Sequence, residues 1–293
     1  MSRRSLFLLA AVVVLLYFSI IMVMLSPLNV PKASYLGHGY LHHFTYRQPR
    51  VHWCKELQWR SPPVADVVAL VSHPGSGNTW LRYLLQQVTG IVTGSIYMDY
   101  GLRVHGFPAE NVTDGSVLVV KTHEAPPADP KKFKSGILLI RNPRDAILAD
   151  FNRLHKGHVG TAPKSAFEQK FSDRKTGWVN YVASQLTTWE DLHRLWLTDF
   201  SGPLLLVHYD HLVGDTRQTL ASVLQFLNVT VSEADMNCAI SNKEGIYRRR
   251  KKLQDFDPFT PDMYRALNIV KGRVYKMLDE YARTRTNKGD SVS

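Results

Sequence analysis

The sequence predicts an α/β fold, a P-loop-like parallel sheet flanked by helices and preceded by one N-terminal transmembrane helix. Three observations carry that expectation. Four short apolar runs of strand length alternate with stretches of helical periodicity; the first run leads through a glycine-containing loop into a helix; and one uncharged segment near the N-terminus is long enough to cross a bilayer.

The first run is the centre of the chain. Val67, Val68, Ala69, Leu70 and Val71 are apolar and rich in β-branching, as in a strand covered on both faces. His73-Pro74-Gly75-Ser76-Gly77-Asn78 follows, and Leu81, Leu84, Leu85 and Val88 then recur at three- and four-residue spacing until Gly90 stops the helix. A helix start behind a loop of small residues offers free backbone N–H groups and the positive end of the helix dipole to an anion such as phosphate. Gly75 and Gly77 allow close approach, and Ser76, Asn78 and Thr79 add side-chain donors. The competing reading is a plain strand-to-helix turn capped by Asn78 or Thr79. The loop is not a Walker A loop, because no Lys precedes the Thr and the glycine spacing differs.

The other segments surround that unit. Residues 1–5 are a cytoplasmic tail carrying Arg3 and Arg4, and residues 6–25 are twenty uncharged residues, enough at about 1.5 Å per residue to span a hydrocarbon core of roughly 30 Å. The basic tail orients this segment as a signal anchor with the remainder on the far side, and small residues do not mark a cleavage site after it. Residues 26–63 read as a stem, packed on the domain or extended, and residues 64–293 as the lumenal domain. His38, His42 and His43 lack a carboxylate or Cys at ligand spacing, so no metal is expected. Asn111-Val112-Thr113 and Asn228-Val229-Thr230 are N-glycosylation sequons, meaningful for a lumenal domain. Cys54 and Cys238 are the only cysteines, and two readings stay open: one long-range disulfide or two buried thiols.

The net charge of +11 calls for an anionic partner, and no nucleic-acid-binding motif is present. The second strand is read at Val117 to Val120, ending in Lys121-Thr122-His123-Glu124. The third is Ile137 to Ile140, ending in Arg141-Asn142-Pro143-Arg144-Asp145 and followed by a helix over 146–154, with Pro143 and Asp145 suited to its start. Polar groups at such ends sit where open α/β sheets bind ligands. Residues 157–176 lack a pattern and read as a loop near an acceptor. Val182, Leu186, Trp189, Leu192 and Trp196 then mark the buried stripe of a helix over 178–197. Leu204 to Val207 is the fourth strand, with a helix over 219–227 after it.

Pro74-Gly75-Ser76-Gly77-Asn78-Thr79-Trp80 resembles the 5′-phosphosulfate loop of the sulfotransferases, usually PKSGTTW. Lys121-Thr122-His123, Arg141-Asn142-Pro143-Arg144-Asp145 and the 207–212 segment leading to Phe226-Leu227 match further motifs of that family in order. The HPGSGNTW form of the loop and the distal DFDPFTPDM stretch are most similar to the WSC-domain-containing (WSCD) family of Golgi sialate sulfotransferases, here without WSC modules. The resemblance implies the sulfotransferase fold and transfer of a sulfuryl group from PAPS, 3′-phosphoadenosine 5′-phosphosulfate, to a glycan hydroxyl. It implies a base at His123, a charge-stabilising cation at Lys121, 3′-phosphate contacts from Arg141 and from Arg248, Arg249 and Arg250, and an adenine against Trp80. The acceptor would be a glycoprotein or glycolipid, sialic acid among the candidates, and the location a single-pass type II Golgi membrane protein. Two departures stand out: the family's loop Lys is Gly75, and its Ser eight residues after the Arg is Ala149, for which Asn152 is a candidate substitute.

Glu124 is the alternative base. Two other function classes compete. A lumenal glycosyltransferase would use Asp255-Phe256-Asp257 as a DxD metal motif, although it follows a basic run rather than an apolar strand. A binding protein on an inactive sulfotransferase fold would account for Gly75 and Ala149.

Overall fold

The computed structural model describes residues 51–289 except 65, 130, 159, 169–176 and 248–255. The expected anchor over 6–25 and the basic residues Arg248, Arg249 and Arg250 therefore lie outside the described residues. Among the described residues no helix is long and apolar enough to cross a membrane.

Five parallel strands form one sheet in the order β2-β3-β1-β4-β5. They are β1 (Val68–Val71), β2 (Gly94–Ser95), β3 (Val120–Thr122), β4 (Ser135–Ile140) and β5 (Leu204–His208). β1 lies at the centre, with Val71 beside Thr122 of β3 and Leu138 of β4. Side chains alternate across it. Ala69 and Val71 join one core and Leu70 the other, so helices must cover both faces.

On the Leu70 face pack α1 (Asn78–Thr89), α7 (Thr216–Phe226) and α8 (Glu233–Ser241), through Leu81, Leu85, Leu220, Val223 and Met236. On the Val71 face pack α3 (Pro143–Lys156), α5 (Trp178–Thr198) and α9 (Pro261–Gly289), through Ile147, Phe151, Trp189, Trp196, Leu267 and Val274. Three short helices complete the described elements: α2 (Tyr100–Val104), α4 (Lys164–Glu168) and α6 (Tyr209–Gly214).

Several boundaries differ from the sequence reading. The run 117–120 does not form the second strand, since β3 begins only at Val120. The preceding residues meet the chain where it enters β2, Leu118 N–H donating to Val92 O at 2.9 Å and Val119 O accepting from Gly94 N–H at 2.8 Å. Lys121 and Thr122 consequently sit within the strand, not beyond it. α3 starts at Pro143, as proline at a helix start suggests, with the Asn142 side chain capping it by accepting the Arg144 N–H at 3.1 Å, but it runs on past 154 to Lys156. α7 starts at Thr216, with Asp215 accepting the Gln218 N–H at 3.0 Å. The expected loop over 157–176 contains α4.

The described part of the stem, from residue 51, packs onto the domain. Gln58 bridges Ile91 in parallel, and Arg60 and Val64 donate to Ser116 O and Gly115 O. Cys54 and Cys238 are joined by a disulfide, Cα atoms 6.0 Å apart, across 184 residues of sequence. A cross-link over so long a loop stabilises chiefly by restricting the unfolded chain. Reducing it in the full-length chain is expected to lower stability to urea by roughly 2–4 kcal/mol. An unchanged unfolding midpoint would show that the bridge contributes nothing.

Candidate functional site

β1, β3 and β4 end at one edge of the sheet, and the sequence places polar residues just beyond each end. The loop from His73 to Gly77 leaves β1 there. Gly75 and Gly77 have φ of +80° and +96°, the left-handed region that glycine enters without strain. At Gly75 a Cβ would lie 2.2 Å from Ala146 O and 2.8 Å from Asp150 N, both backbone atoms of α3. The loop therefore lies directly on α3, and no side chain fits at this position.

The loop's side chains divide by direction. The Asn78 amide donates to Leu70 O at 3.1 Å and Ser72 Oγ at 3.2 Å, so it ties the helix start to the strand end. The expected Asn78 side-chain donor is thereby spent on the protein itself. Gly77 caps α1 without a side-chain hydrogen bond. Ser76 Oγ is buried with no partner among the described residues, and so is Arg141 Nε. The Arg141 guanidinium donates through Nη1 to Gly75 O at 2.8 Å and lies 4.3 Å from the Tyr209 ring centroid. Buried donors with no acceptor beside a helix start suit an anion, whose oxygens would satisfy them.

Trp80 is 2% exposed, its Nε1–H donated to Lys243 O at 2.7 Å and its ring edge-on to Tyr209. It retains almost no surface for an adenine to stack on. Its contacts with Tyr209 and Lys243 account for that burial.

Beyond β3, the His123 ring meets Ser72 O at 2.6 Å through Nδ1. A carbonyl can only accept, so Nδ1 carries the hydrogen and Nε2 keeps its lone pair. Burial and the neighbouring Lys121 push the imidazole well below its ordinary pKa, which keeps it neutral near pH 7. Lys121 is itself buried, and desolvation together with Arg82 lowers its ammonium to about 8. Both side chains adjoin the Tyr97 ring, so they share one side of the strand end. Glu124 is exposed, and its carbonyl accepts the Trp196 Nε1–H at 2.8 Å. Trp189 Nε1 likewise donates to Arg141 O at 3.1 Å. These two core tryptophans of α5 pin the ends of β3 and β4.

Asn152 is held by Ala162, whose N–H donates to its Oδ1 at 2.8 Å. Asp257 accepts from Phe259 N–H and from Tyr264 O–H, and no group of three metal-ligating side chains occurs among the described residues. Asn111 and Asn228 are exposed, and both have positive φ, 68° and 51°. Asn tolerates that region better than other side chains. Asn228 ends α7 in a Schellman motif, with Asn228 N–H on Gln225 O and Val229 N–H on Leu224 O.

A family model for the sulfotransferase domain matches residues 65–245, more than half of the chain. A WSCD family member of Aedes aegypti is 43% identical over 259 residues, covering 80% of this chain and 81% of the relative. A WSCD family member of Drosophila melanogaster is 42% identical over 257 residues, covering 79% and 80%. The chain belongs to the WSCD-like sulfotransferases. A mouse sulfotransferase crystallised with PAP has the same fold, with a TM-score of 0.50 at 17% identity over 75% of this chain and 90% of that one.

Within this sulfotransferase, the sequence motifs at 74–80, 121–123 and 141–145 converge on one sheet edge, as the parallel topology requires. Three residues were given no role by the sequence reading. His73 is fully buried, with Nδ1 on Pro74 O at 2.7 Å and Nε2 on Gln185 Oε1 at 3.1 Å. Tyr209 was visible only as part of a family segment, and Tyr97 belongs to no motif. The register of β2 on β3 was the missing signal for Tyr97. Restoring a side chain to the loop is expected to be costly: Gly75→Ala should lose about 3 kcal/mol or more in urea unfolding, from left-handed backbone strain and overpacking. Gly75→Lys should gain nothing. Wild-type stability of the Gly75→Ala chain would contradict the close approach to α3.

Proposed function

We infer that this sulfotransferase moves a sulfuryl group from PAPS to a glycan hydroxyl, a sialic acid hydroxyl among the candidate acceptors, in the Golgi lumen. The observation that carries the reading is the His123 tautomer: with Nδ1–H given to Ser72 O, Nε2 is free to take a proton. A base matters here because an acceptor hydroxyl is a poor nucleophile near neutral pH. As the acceptor oxygen bonds to sulfur, the hydroxyl proton passes to Nε2 and the bond from sulfur to the nucleotide's phosphate oxygen breaks in line. Lys121 balances the negative charge on the transferring oxygens. Backbone N–H groups of Gly75 and of Gly77 to Thr79, with Ser76 Oγ, receive the departing 5′-phosphate, while the Ser76 N–H is held by His73 O at 3.2 Å.

Arg141 takes the 3′-phosphate in this reading while its Nη1 holds Gly75 O, so one guanidinium links that phosphate to the loop. Arg248, Arg249 and Arg250 are proposed as further 3′-phosphate donors. The lumenal location is supported by the disulfide, which persists in oxidising compartments, and by two exposed sequons. The bilayer anchor over 6–25 and the glycan acceptor follow from sequence and resemblance.

Transfer of radiolabelled sulfate from PAPS onto a panel of glycans tests the function. His123→Ala is expected to lower turnover by roughly 100-fold or more with PAP binding retained, and Glu124→Gln to be milder. Near-full turnover without His123 would remove it as the base. The pH profile of kcat/KM should fall at acid pH as His123 gains a proton below its ordinary range, and at alkaline pH as Lys121 loses one near 8. A profile with no alkaline fall around pH 8 would contradict the Lys121 assignment, and one with no fall on the acid side below the ordinary histidine range would contradict the His123 assignment.

The topology is tested in cells by N-glycosidase digestion, which should lower the apparent mass. Thr113→Ala and Thr230→Ala should each remove part of the shift while leaving the left-handed Asn111 and Asn228 in place. No shift at all would place the domain outside the secretory lumen.

A further inference from the structure

β2 and β3 run parallel, with Gly94 beside Val120 and Ser95 beside Lys121. Continuing that register for two residues brings Tyr97 alongside His123. The phenol makes three contacts there. Its ring stacks on the His123 imidazole, centroids 5.6 Å apart and planes at 24°. Its hydroxyl oxygen accepts the His123 backbone N–H at 3.1 Å. The Lys121 ammonium lies 5.6 Å from the centroid of the same ring. Tyr97 is held in turn by its own backbone: its N–H donates to Ser95 Oγ at 3.0 Å, and its carbonyl accepts the Asn111 N–H at 2.9 Å.

We propose that Tyr97 is the positioning residue of the Lys121–His123 pair, fixing His123 by stacking and by its backbone N–H, and keeping the Lys121 ammonium charged against its ring face. The proposal rests on the reading of Lys121 and His123 given above. Its physical basis is the scarcity of partners for a buried ammonium. Arg82 of α1 and Arg153 of α3 oppose the charge of Lys121, Glu110 and Asp99 favour it, and His123 adjoins it as a neutral ring. Thr122 and Glu124 face the Tyr97 hydroxyl. The aromatic face adds a negative quadrupole at contact range, an interaction that grows when water is excluded. Without the ring, Lys121 would give up its proton at lower pH. A residue that only filled space would cost stability and leave that titration where it is.

The test uses the full-length chain in detergent, unaltered and as Tyr97→Phe and Tyr97→Leu. Two quantities are followed: the alkaline limb of kcat/KM for sulfate transfer, and the titration of Lys121 by NMR of side-chain-labelled lysine, assigned with Lys121→Arg. Tyr97→Leu is expected to move both midpoints down by about half a pH unit or more. Tyr97→Phe keeps the ring and should leave both in place, yet lower kcat about tenfold at unchanged KM for PAPS, because the His123 N–H loses its acceptor. If the Leu variant fails to fold, Tyr97→Met serves for ring deletion. An unmoved Lys121 titration without the ring overturns the proposal, as does full kcat in Tyr97→Phe. A chain that transfers no sulfate while its Lys121 midpoint still moves with ring deletion would refute the functional reading and uphold the coupling of Tyr97 to Lys121.

Discussion

The site depends on how closely the loop between β1 and α1 lies on α3. With a Cβ at residue 75 placed 2.2 Å from Ala146 O, the loop cannot carry the lysine that related loops use. In the proposed reading the anion therefore meets backbone, and the cations come from elsewhere. Arg141 reaches the loop from the end of β4, and Lys121 reaches the same edge from β3. A helix dipole and free amides suffice to hold a phosphate, while charge that develops on transfer needs a nearby cation.

That cation is placed under tension by the fold. α1 also carries Arg82, fully buried and paired with Glu110 at 2.7 Å, with further bonds to Thr93. The pair satisfies Arg82 but leaves a positive group behind Lys121, whose own burial already disfavours charge. An ammonium titrating near neutral pH is sensitive to what surrounds it. An anionic ligand would restore its proton, which couples the cation's charge to occupancy of the site.

Much of this was legible in the sequence. The apolar runs of β1, β4 and β5 and the periodicity of α1 and α5 announced a doubly covered parallel sheet, and the loop and strand-end motifs lie together at one edge of it. What escaped has physical reasons. The run at 117–120 is as apolar as a strand, but Leu118 bonds to Val92, ahead of the two-residue β2, and only Val120 enters the ladder, a pairing no local pattern encodes. β2 is two residues long, too short for any period to register, and its register carries Tyr97 to the side of His123. The inward turn of Asn78 and the burial of Trp80 are tertiary outcomes, decided by Leu70, Ser72, Lys243 and Tyr209.

The account's central claim is that the donor nucleotide's 3′-phosphate is held by Arg141, the guanidinium that also braces the backbone loop through Gly75 O. Isothermal titration of the full-length chain with PAP and with adenosine 5′-phosphate tests it most directly. PAP should bind more tightly, and Arg141→Ala should erase a preference of roughly 2–4 kcal/mol. Equal affinity of the unaltered chain for the two nucleotides would contradict the account.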